Sequence, residues 1–221
     1  AAITLARNGT DVVVLEAEAL GFGASSRNGG MVSGGVNVGK HATISDASID
    51  RLLVEASDSY AWFESFITDE RIDAVYQRCG RFVGAHSVKA WDRLAGQIDP
   101  LNELADSGAR MVSPAEARDH LASDYYRGGM IVDRSGGVHP GKLHKGVLEL
   151  AASAGAKLFG GVQAGPIRKL AQRLEIATSK HAIQAETVII ATNGYTGQFS
   201  PWHQKRVVPV PTYQIATQEL G

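Results

Sequence analysis

Cysteine is nearly absent from this chain of 221 residues, and its scarcity limits the kind of protein that it can be. With Cys79 alone, an internal disulfide framework and a cysteine-based zinc cluster are both excluded. A thiol-containing chain without disulfides is at home in a reducing compartment, so the composition favours the cytoplasm. The histidines lack metal-ligand spacing and no His-Glu-x-x-His string occurs, so we expect no metal site.

Long apolar runs and an excess of one charge are also missing. No apolar run approaches the roughly 20 residues that cross a bilayer. Lys and Arg number 22 against 23 Asp and Glu, so no overall field would recruit nucleic acid or an anionic membrane. We therefore expect small-molecule partners, no nucleic acid and no membrane span. Ala1 is not an initiator Met and no secretory signal follows it, so we expect the chain to begin inside a longer protein.

The first 16 residues have the pattern of a helix, a tight turn and a buried strand. Residues 1–8 are largely good helix formers, and Gly9 stands where a helix end favours a left-handed residue. Residues 11–15 form a compact β-branched run that ends in Glu16. Such a run is typical of a strand buried on both faces of a parallel sheet.

Further elements follow from periodicity and from glycine and proline positions. Helices are predicted over residues 48–67, 88–105 with an interruption at Pro100, 114–121 with Ser113 as N-cap, and 140–154 capped near His139. Strands are predicted in a hairpin at 75–85 around Gly80, at 125–133, at 157–159, in a meander at 165–187, and in a fully buried strand at 187–192. Residues 20–39, rich in glycine, serine and asparagine, are predicted to be a loop built for backbone contact.

Glu16 stands where a nucleotide-binding βαβ unit needs an acid. In such units an acid at the end of the second strand binds a ribose hydroxyl, roughly 20 residues after a glycine-rich phosphate turn. That turn would lie before Ala1, so we expect it upstream of this chain. A charged residue that merely ends a strand in solvent is the alternative.

A glycine-rich string follows the acid. Residues 21–30 read Gly-Phe-Gly-Ala-Ser-Ser-Arg-Asn-Gly-Gly. Glycines allow backbone amides to approach a phosphate or a flavin ring, and Ser and Arg can complete the hydrogen bonds of an anion, although a flexible surface loop is the alternative. Together with Val-Val-Val-Leu-Glu-Ala over residues 12–17, the string resembles the D-amino-acid oxidase superfamily of FAD-dependent oxidoreductases, within it the gamma-glutamylputrescine oxidase branch.

The resemblance implies an α/β fold. It consists of a Rossmann-like FAD-binding domain, a parallel sheet with helices, and part of an antiparallel-sheet substrate domain, with the whole incomplete. The expected boundaries are residues 1–70 and 136–200 for the FAD-binding domain, and 71–135 and 201–221 for the partial substrate domain.

The resemblance also implies a set of cofactor-binding residues. Its members are Glu16 and Ala17 at the strand end; Ser25, Ser26, Arg27, Asn28, Gly29 and Gly30 along pyrophosphate and flavin; Val162 at the adenine; and Ala191, Thr192 and Gly194 near the dinucleotide. For Val162 a plain core position, and for Gly194 a simple strand-end turn, remain open. No histidine stands at residues 25–27, where some relatives tether their flavin, so noncovalent FAD is expected.

The implied reaction is the oxidation of a small amine or amino acid. The carbon that bears the amine loses a hydride to the flavin, the imine is hydrolysed, and oxygen is reduced to hydrogen peroxide. One alternative is a dehydrogenase of amino acids or glycine derivatives that passes its electrons to a carrier in place of oxygen. The other is a catalytically inert fragment. The catalytic residues are unknown.

Overall fold

A computed structural model describes residues 1–35, 46–213, 215, 217 and 218. The chain forms two compact units, one of Ala1–Asn28 with Val147–Gly221 and one of Gly29–Gly146, here called unit 1 and unit 2. These divisions differ from the predicted domain boundaries, chiefly because residues 29–70 fall in unit 2 and residues 201–221 in unit 1. The predicted domains concern a complete protein, and they stay a prediction.

The described residues form seven α-helices and ten strands. The helices are α1 (Ala2–Arg7), α2 (Asp46–Asp69), α3 (Val88–Ala95), α4 (Ile98–Ala105), α5 (Pro114–Ala117), α6 (Pro140–Ser153) and α7 (Pro201–Gln204). The strands are β1 (Val13–Leu15), β2 (Met31–Ser33), β3 (Arg81–Gly84), β4 (Ala109–Val112), β5 (Gly129–Val132), β6 (Ser135–Gly137), β7 (Lys157–Phe159), β8 (Ala164–Lys169), β9 (Leu174–Thr178) and β10 (Ala182–Ala185). No helix in the described ranges is long and apolar enough to cross a membrane.

Unit 1 is organised around the parallel pair of β1 and β7. Val14 lies opposite Leu158 in this pair, and Gly9, with φ +81°, links α1 to β1 as the sequence predicts. The expected burial on both faces is wrong, since Val13 is 39% exposed. The sheet has two strands in the described residues, and two strands cannot enclose a core on both sides.

The rest of unit 1 confirms one β prediction and overturns another. The meander is present as the antiparallel sheet β10-β9-β8. The strand predicted at residues 187–192 is wrong, because these residues pair with no described strand and Ile189 is 60% exposed. An apolar β-branched run forms a regular strand only where a neighbour supplies the hydrogen-bond ladder. Here it leads into a 3₁₀ turn, Asn193–Tyr195.

Unit 2 is built on the antiparallel sheet β3-β5-β4. Helices α2, α3 and α4 contribute Leu53, Leu94 and Leu101 to a core whose centre is Met130 and Val132 of β5, both fully buried. A second antiparallel pair joins β2 to β6, so part of the loop predicted at residues 20–39 is a strand. Residues 36–39 of that prediction lie outside the described residues.

The predicted hairpin around Gly80 is wrong. Gly80 does turn the chain with φ +70°, but β3 pairs with β5, and Gln77 bridges Gly137 instead of β3. Pairing between strands that are distant in the chain won over the local hairpin, because it completes the three-stranded sheet.

Helix starts follow the sequence closely. Ser113 and Glu116 form a capping box at α5, although that helix ends at Ala117 and the prediction extended it to residue 121. The helix predicted at 88–105 divides into α3 and α4, and Pro100 lies in the first turn of α4, where its missing N–H breaks no helical bond. His139 Nδ1 accepts a hydrogen bond from the Lys142 N–H at 3.2 Å, so the predicted cap of α6 is confirmed.

Candidate functional site

Glu16 follows the last residue of β1 and is held by backbone hydrogen bonds on both sides. Its N–H donates to the Phe159 oxygen at 2.9 Å, and its own carbonyl oxygen accepts from the Val162 N–H at 2.9 Å. One carboxylate oxygen, Oε1, accepts from the Glu18 N–H at 3.1 Å. Within the described ranges Oε2 has no hydrogen-bond partner. The half-buried acid therefore keeps an acceptor available at the carboxyl end of a parallel strand.

The segment after β7 lies directly against the segment after β1. The Gly161 N–H donates to the Glu18 oxygen at 2.7 Å. A Cβ placed on Gly160 would lie 3.1 Å from the Glu18 oxygen and 3.3 Å from the Leu20 nitrogen, so the approach leaves little room for a side chain. The structure thus brings together two of the predicted site positions, Glu16 and Val162, which are far apart in the sequence.

The predicted phosphate-binding residues 25–28 form a turn with many internal hydrogen bonds. The Ser26 hydroxyl donates to the Gly21 oxygen. The Asn28 side-chain amide donates to the oxygens of Ala24, at 3.1 Å, and Ser25, at 3.2 Å. These bonds fix the course of the backbone, so the turn holds its shape through its own polar groups.

Arg27 is exposed, and its guanidinium lies over an aromatic ring. The Cζ atom is 4.4 Å from the centroid of the Phe22 ring, a cation–π distance. Its N–H groups donate to no acceptor in the part of the chain that the structure describes. The backbone N–H groups of Ala24 and Ser25 likewise have no acceptor there. The turn therefore presents a cation and free amides, which are the groups that bind anions.

The predicted positions after residue 190 lie on an exposed turn. The Thr192 hydroxyl is 2.7 Å from that of Thr196, and a Cβ on Gly194 would be 3.5 Å from Pro209 Cβ. Ala191 and Thr192 are exposed, and they make no contact with Glu16 that the structure records. Tyr195 links this exposed turn to the segment before residues 25–28, because its ring lies 3.5 Å from the position of a Cβ on Gly23. Tyr195 was not among the predicted site residues, and the signal that could have found it is its place beside Gly194.

The last two glycines of the string belong to unit 2. Gly30 is buried, has φ +65°, and accepts a hydrogen bond from the Val138 N–H at 2.8 Å. A Cβ at this position would lie far under 3.0 Å from the Val138 oxygen and 3.4 Å from Pro140 Cδ. Local packing explains the glycine at position 30. Gly29 is exposed, and its part in a site stays a prediction, like the other site roles.

A parallel strand pair with an acid at its carboxyl end, a glycine approach beside it and a turn that presents a cation and free amides are the features expected of a nucleotide-binding unit. The family description "DAO: FAD dependent oxidoreductase" matches residues 1–221. The chain belongs to this family of FAD-dependent oxidoreductases, which confirms the resemblance. FAD is therefore the cofactor.

Relatives and solved structures agree with this membership. The chain is 30% identical to "Probable oxidoreductase OrdL" of Rhizobium meliloti, and 28% identical to "Gamma-glutamylputrescine oxidoreductase" of Escherichia coli. In both alignments all of this chain is covered and 52% of the relative, so the chain spans about half the length of the curated relatives that it matches.

Two solved structures confirm the fold class. Glycine oxidase from Geobacillus kaustophilus superposes with a TM-score of 0.76 at 23% identity, covering 88% of this chain and 52% of that one. L-proline dehydrogenase from P. horikoshii superposes with a TM-score of 0.71 at 17% identity, covering 88% and 49%. At these identities the likeness supports the α/β FAD-binding fold and nothing finer.

The residues present fit the chemical groups of FAD. A ribose hydroxyl needs an acceptor, which the unengaged Oε2 of Glu16 provides. A pyrophosphate needs cations and N–H donors, which Arg27 and the amides of the turn provide. In the described ranges no cluster of His, Cys, Asp and Glu could hold a metal ion.

Proposed function

We propose that this chain supplies the FAD-binding part of an enzyme that oxidises the CH–NH bond of a small amine or amino acid to an imine, as in gamma-glutamylputrescine oxidases. Oxygen is the proposed acceptor and hydrogen peroxide the product. The contact that supports the proposal best is the hydrogen bond between the Val162 N–H and the Glu16 oxygen, because it joins the proposed ribose and adenine positions. The similarity to the Escherichia coli relative supports the substrate class.

Each proposed role follows from a group that the structure leaves available. The carboxylate of Glu16 accepts a ribose hydroxyl, while the backbone around Val162 borders the adenine. Arg27 and the turn at residues 25–28 hold the negative pyrophosphate. Ala17, beside Glu16, and the exposed turn of Ala191, Thr192 and Gly194 complete the dinucleotide surface in this proposal.

When bound, FAD supplies a two-electron acceptor for the amine carbon. The chain's own contribution is to bind and orient the cofactor without a covalent tether. Binding of a neutral amine, in place of its ammonium form, would keep the nitrogen lone pair available. No residue of this chain is assigned as a catalytic base. The cytoplasm is the proposed location.

Glu16→Gln tests the ribose assignment, with Glu18→Gln as its matched control. Glu18 lies two residues away, is exposed, and contributes backbone contacts to the same segment. FAD is titrated into the complete protein after removal of its flavin, because the glycine-rich phosphate turn is expected upstream of Ala1, and binding is followed by quenching of flavin fluorescence. Loss of a hydrogen bond to a charged acceptor is worth about 1.5–3 kcal/mol, so Glu16→Gln should raise Kd by roughly tenfold or more. Glu18→Gln should leave Kd within about twofold of the parent chain. Equal effects of the two substitutions would refute the assignment.

Arg27→Ala tests the pyrophosphate assignment, with Arg173→Ala as control. Arg173 is an exposed arginine of unit 1 in the turn between β8 and β9. Arg27→Ala should weaken FAD binding by roughly tenfold and lessen its salt dependence, because a charge-assisted contact is lost. Unchanged affinity would contradict the assignment.

Peroxide release during amine turnover distinguishes the two acceptors. It is measured on the complete protein in the presence and absence of an artificial electron carrier. Stoichiometric peroxide supports oxygen as acceptor. Turnover that depends on the carrier would favour a dehydrogenase instead.

A further inference from the structure

One face of the β3-β5-β4 sheet carries a groove that the FAD proposal does not use. In the sheet register Ile131 lies opposite both Phe82 and Arg110, so these three side chains form one row on the same face. The groove over this row has a volume of about 560 Å³. Residues 78–81, His120 and Asp133 also line the groove. All of these residues belong to unit 2.

The lining of the groove is strongly basic. Arg78, Arg81 and Arg110 contribute three guanidinium groups, against the single carboxylate of Asp133. The side chains of Arg78 and Arg110 are 52% and 51% exposed, so solvent and ligands can reach them. A basic surface of this kind, bordered by low-dielectric side chains, raises the local concentration of anions.

The arginines differ in how far their hydrogen bonds are used. Arg110 Nη1 lies 2.7 and 2.8 Å from the two oxygens of Asp133. Arg78 is 3.9 Å from Glu64, a weak ion pair. Arg81 borders the groove from the start of β3, where it lies opposite Val132 and not Ile131, and its Nη1 is buried with no partner among the described residues. Because that atom is buried, a ligand in the groove would meet the exposed guanidinium groups of Arg78 and Arg110 instead.

The opposite side of the groove is aromatic. The rings of Phe82 and His120 are stacked, with centroids 6.4 Å apart and an angle of 15° between their planes. Guanidinium groups beside a flat apolar wall suit a small molecule that carries an oxyanion and a carbon skeleton.

We propose that this groove binds a small oxyanion, a carboxylate or a phosphate, through the exposed guanidinium groups of Arg78 and Arg110. The pair between Arg110 and Asp133 forms a wall of the site and sets its charge. The site is independent of the proposed FAD contacts, because none of Glu16, Arg27 and Val162 lines it.

Cys79 offers a direct probe of the groove. It is the single cysteine of the chain, it is exposed, and it lies in the lining. Its alkylation rate by iodoacetamide, an uncharged reagent, is measured in the 221-residue chain with increasing inorganic phosphate, succinate or sodium chloride at matched ionic strength. A bound oxyanion should slow alkylation in a saturable manner and by at least about threefold, whereas chloride should only screen charge.

Two substitutions should act in opposite directions. Arg78→Gln should raise the anion concentration that half-protects Cys79 from alkylation by roughly tenfold, because a charge-assisted contact is lost. Asp133→Asn removes the competing carboxylate from Arg110 and should tighten protection several-fold. Arg93→Gln, an exposed arginine of α3, serves as control and should change nothing. Each variant is compared with its own rate without anion, since Arg78 adjoins the thiol.

The two anions distinguish the sources of the oxyanion. Saturable protection by phosphate alone assigns a phosphate ligand, protection by succinate alone a carboxylate, and protection by both a general oxyanion site. Protection no greater than that of chloride, or the same response in Arg78→Gln and Asp133→Asn, would overturn the proposal. Because the readout needs no flavin, its failure leaves the FAD proposal untouched.

Discussion

Gly30→Ala tests whether the glycine string in the FAD proposal serves binding or packing. Two constraints act on Gly30. Its φ of +65° is left-handed, and a Cβ at this position would lie far under 3.0 Å from the carbonyl oxygen of Val138. That same residue, Val138, donates its N–H to the Gly30 oxygen at 2.8 Å. The backbone cannot retreat from the clash without weakening this hydrogen bond.

The expected loss of stability is the sum of two costs. An L-residue in the left-handed region costs about 1–2 kcal/mol. Forcing an extra methyl group into a packed site costs about 1–3 kcal/mol more. Gly30→Ala should therefore lower the free energy of unfolding of unit 2 by about 2–5 kcal/mol.

Gly80→Ala is the matched control in the same unit. Its φ is +70°, but the nearest atom to a new Cβ is the Val132 oxygen at 3.3 Å, so the conformational cost dominates at about 1–2 kcal/mol. Both substitutions are made in a Trp202→Phe background, which leaves Trp62 and Trp91 of unit 2 as fluorescent reporters of urea unfolding. Equal losses in the two variants would refute the steric argument.

Two further predictions concern polar contacts of unit 2. Burial, followed by the hydrogen bond to Glu64, raises the pKa of Tyr76 far above its usual value of 10.0, so Tyr76 stays neutral in the folded protein. Its contribution to the free energy of unfolding is therefore present below pH 10.0 and is lost as the pH rises above that value. Tyr76→Phe should cost about 1 kcal/mol at neutral pH and flatten the fall of unfolding free energy above pH 10.0, as measured by denaturation from neutral to alkaline pH; an unchanged alkaline slope would contradict this. Ser113→Ala should cost about 1 kcal/mol through the lost N-cap. The Ser113 hydroxyl and N–H hold the pKa of Glu116 below its usual value, so the capping box is stabilising above the unfolded pKa of Glu116 and weakens as the pH falls through the lowered, folded pKa. Ser113→Ala should therefore reduce the loss of unfolding free energy at acid pH. The same acid dependence in Ser113→Ala and the parent chain would count against the box.

Features that depend on a few neighbouring residues could be predicted from the sequence. The capping box of Ser113 and Glu116 spans four residues, and Gly9 ends a helix through its own backbone freedom. The strands β1 and β7 were predicted because each is a short apolar run between turn residues. In all of these the local chain decides the conformation.

Features that depend on distant pairing were harder to predict. The partner of β3 is β5, almost fifty residues later, whereas the sequence favoured a hairpin at Gly80. Residues 187–192 have the composition of a buried strand but lack a described neighbour, so composition alone misled. Strand β2 lies in a glycine-rich stretch whose local pattern predicts a loop, and only the pairing with β6 makes it a strand.

The candidate site divides along the same line. Glu16 was predicted from its place at a strand end, and Val162 from family resemblance, but no local pattern reveals the hydrogen bond between them. Tyr195 escaped prediction because the contact that links it to the turn at residues 25–28 is with Gly23, which has no side chain to pair in a sequence pattern. Contacts to glycine leave no complementary residue to recognise.

The glycine string at residues 21–30 therefore combines two physical roles. Up to Asn28 it presents the exposed Arg27 and free amides in unit 1, where a substitution should change cofactor affinity with little effect on folding. From Gly29 onward it enters unit 2, where Gly30 fits against Val138, so a substitution should act on stability first. A loss of flavin in Gly30→Ala would not by itself identify a cofactor contact, because an unfolded unit also loses ligand. Affinity has to be measured under conditions where the variant is still folded, and only a defect that persists there assigns Gly30 to the site.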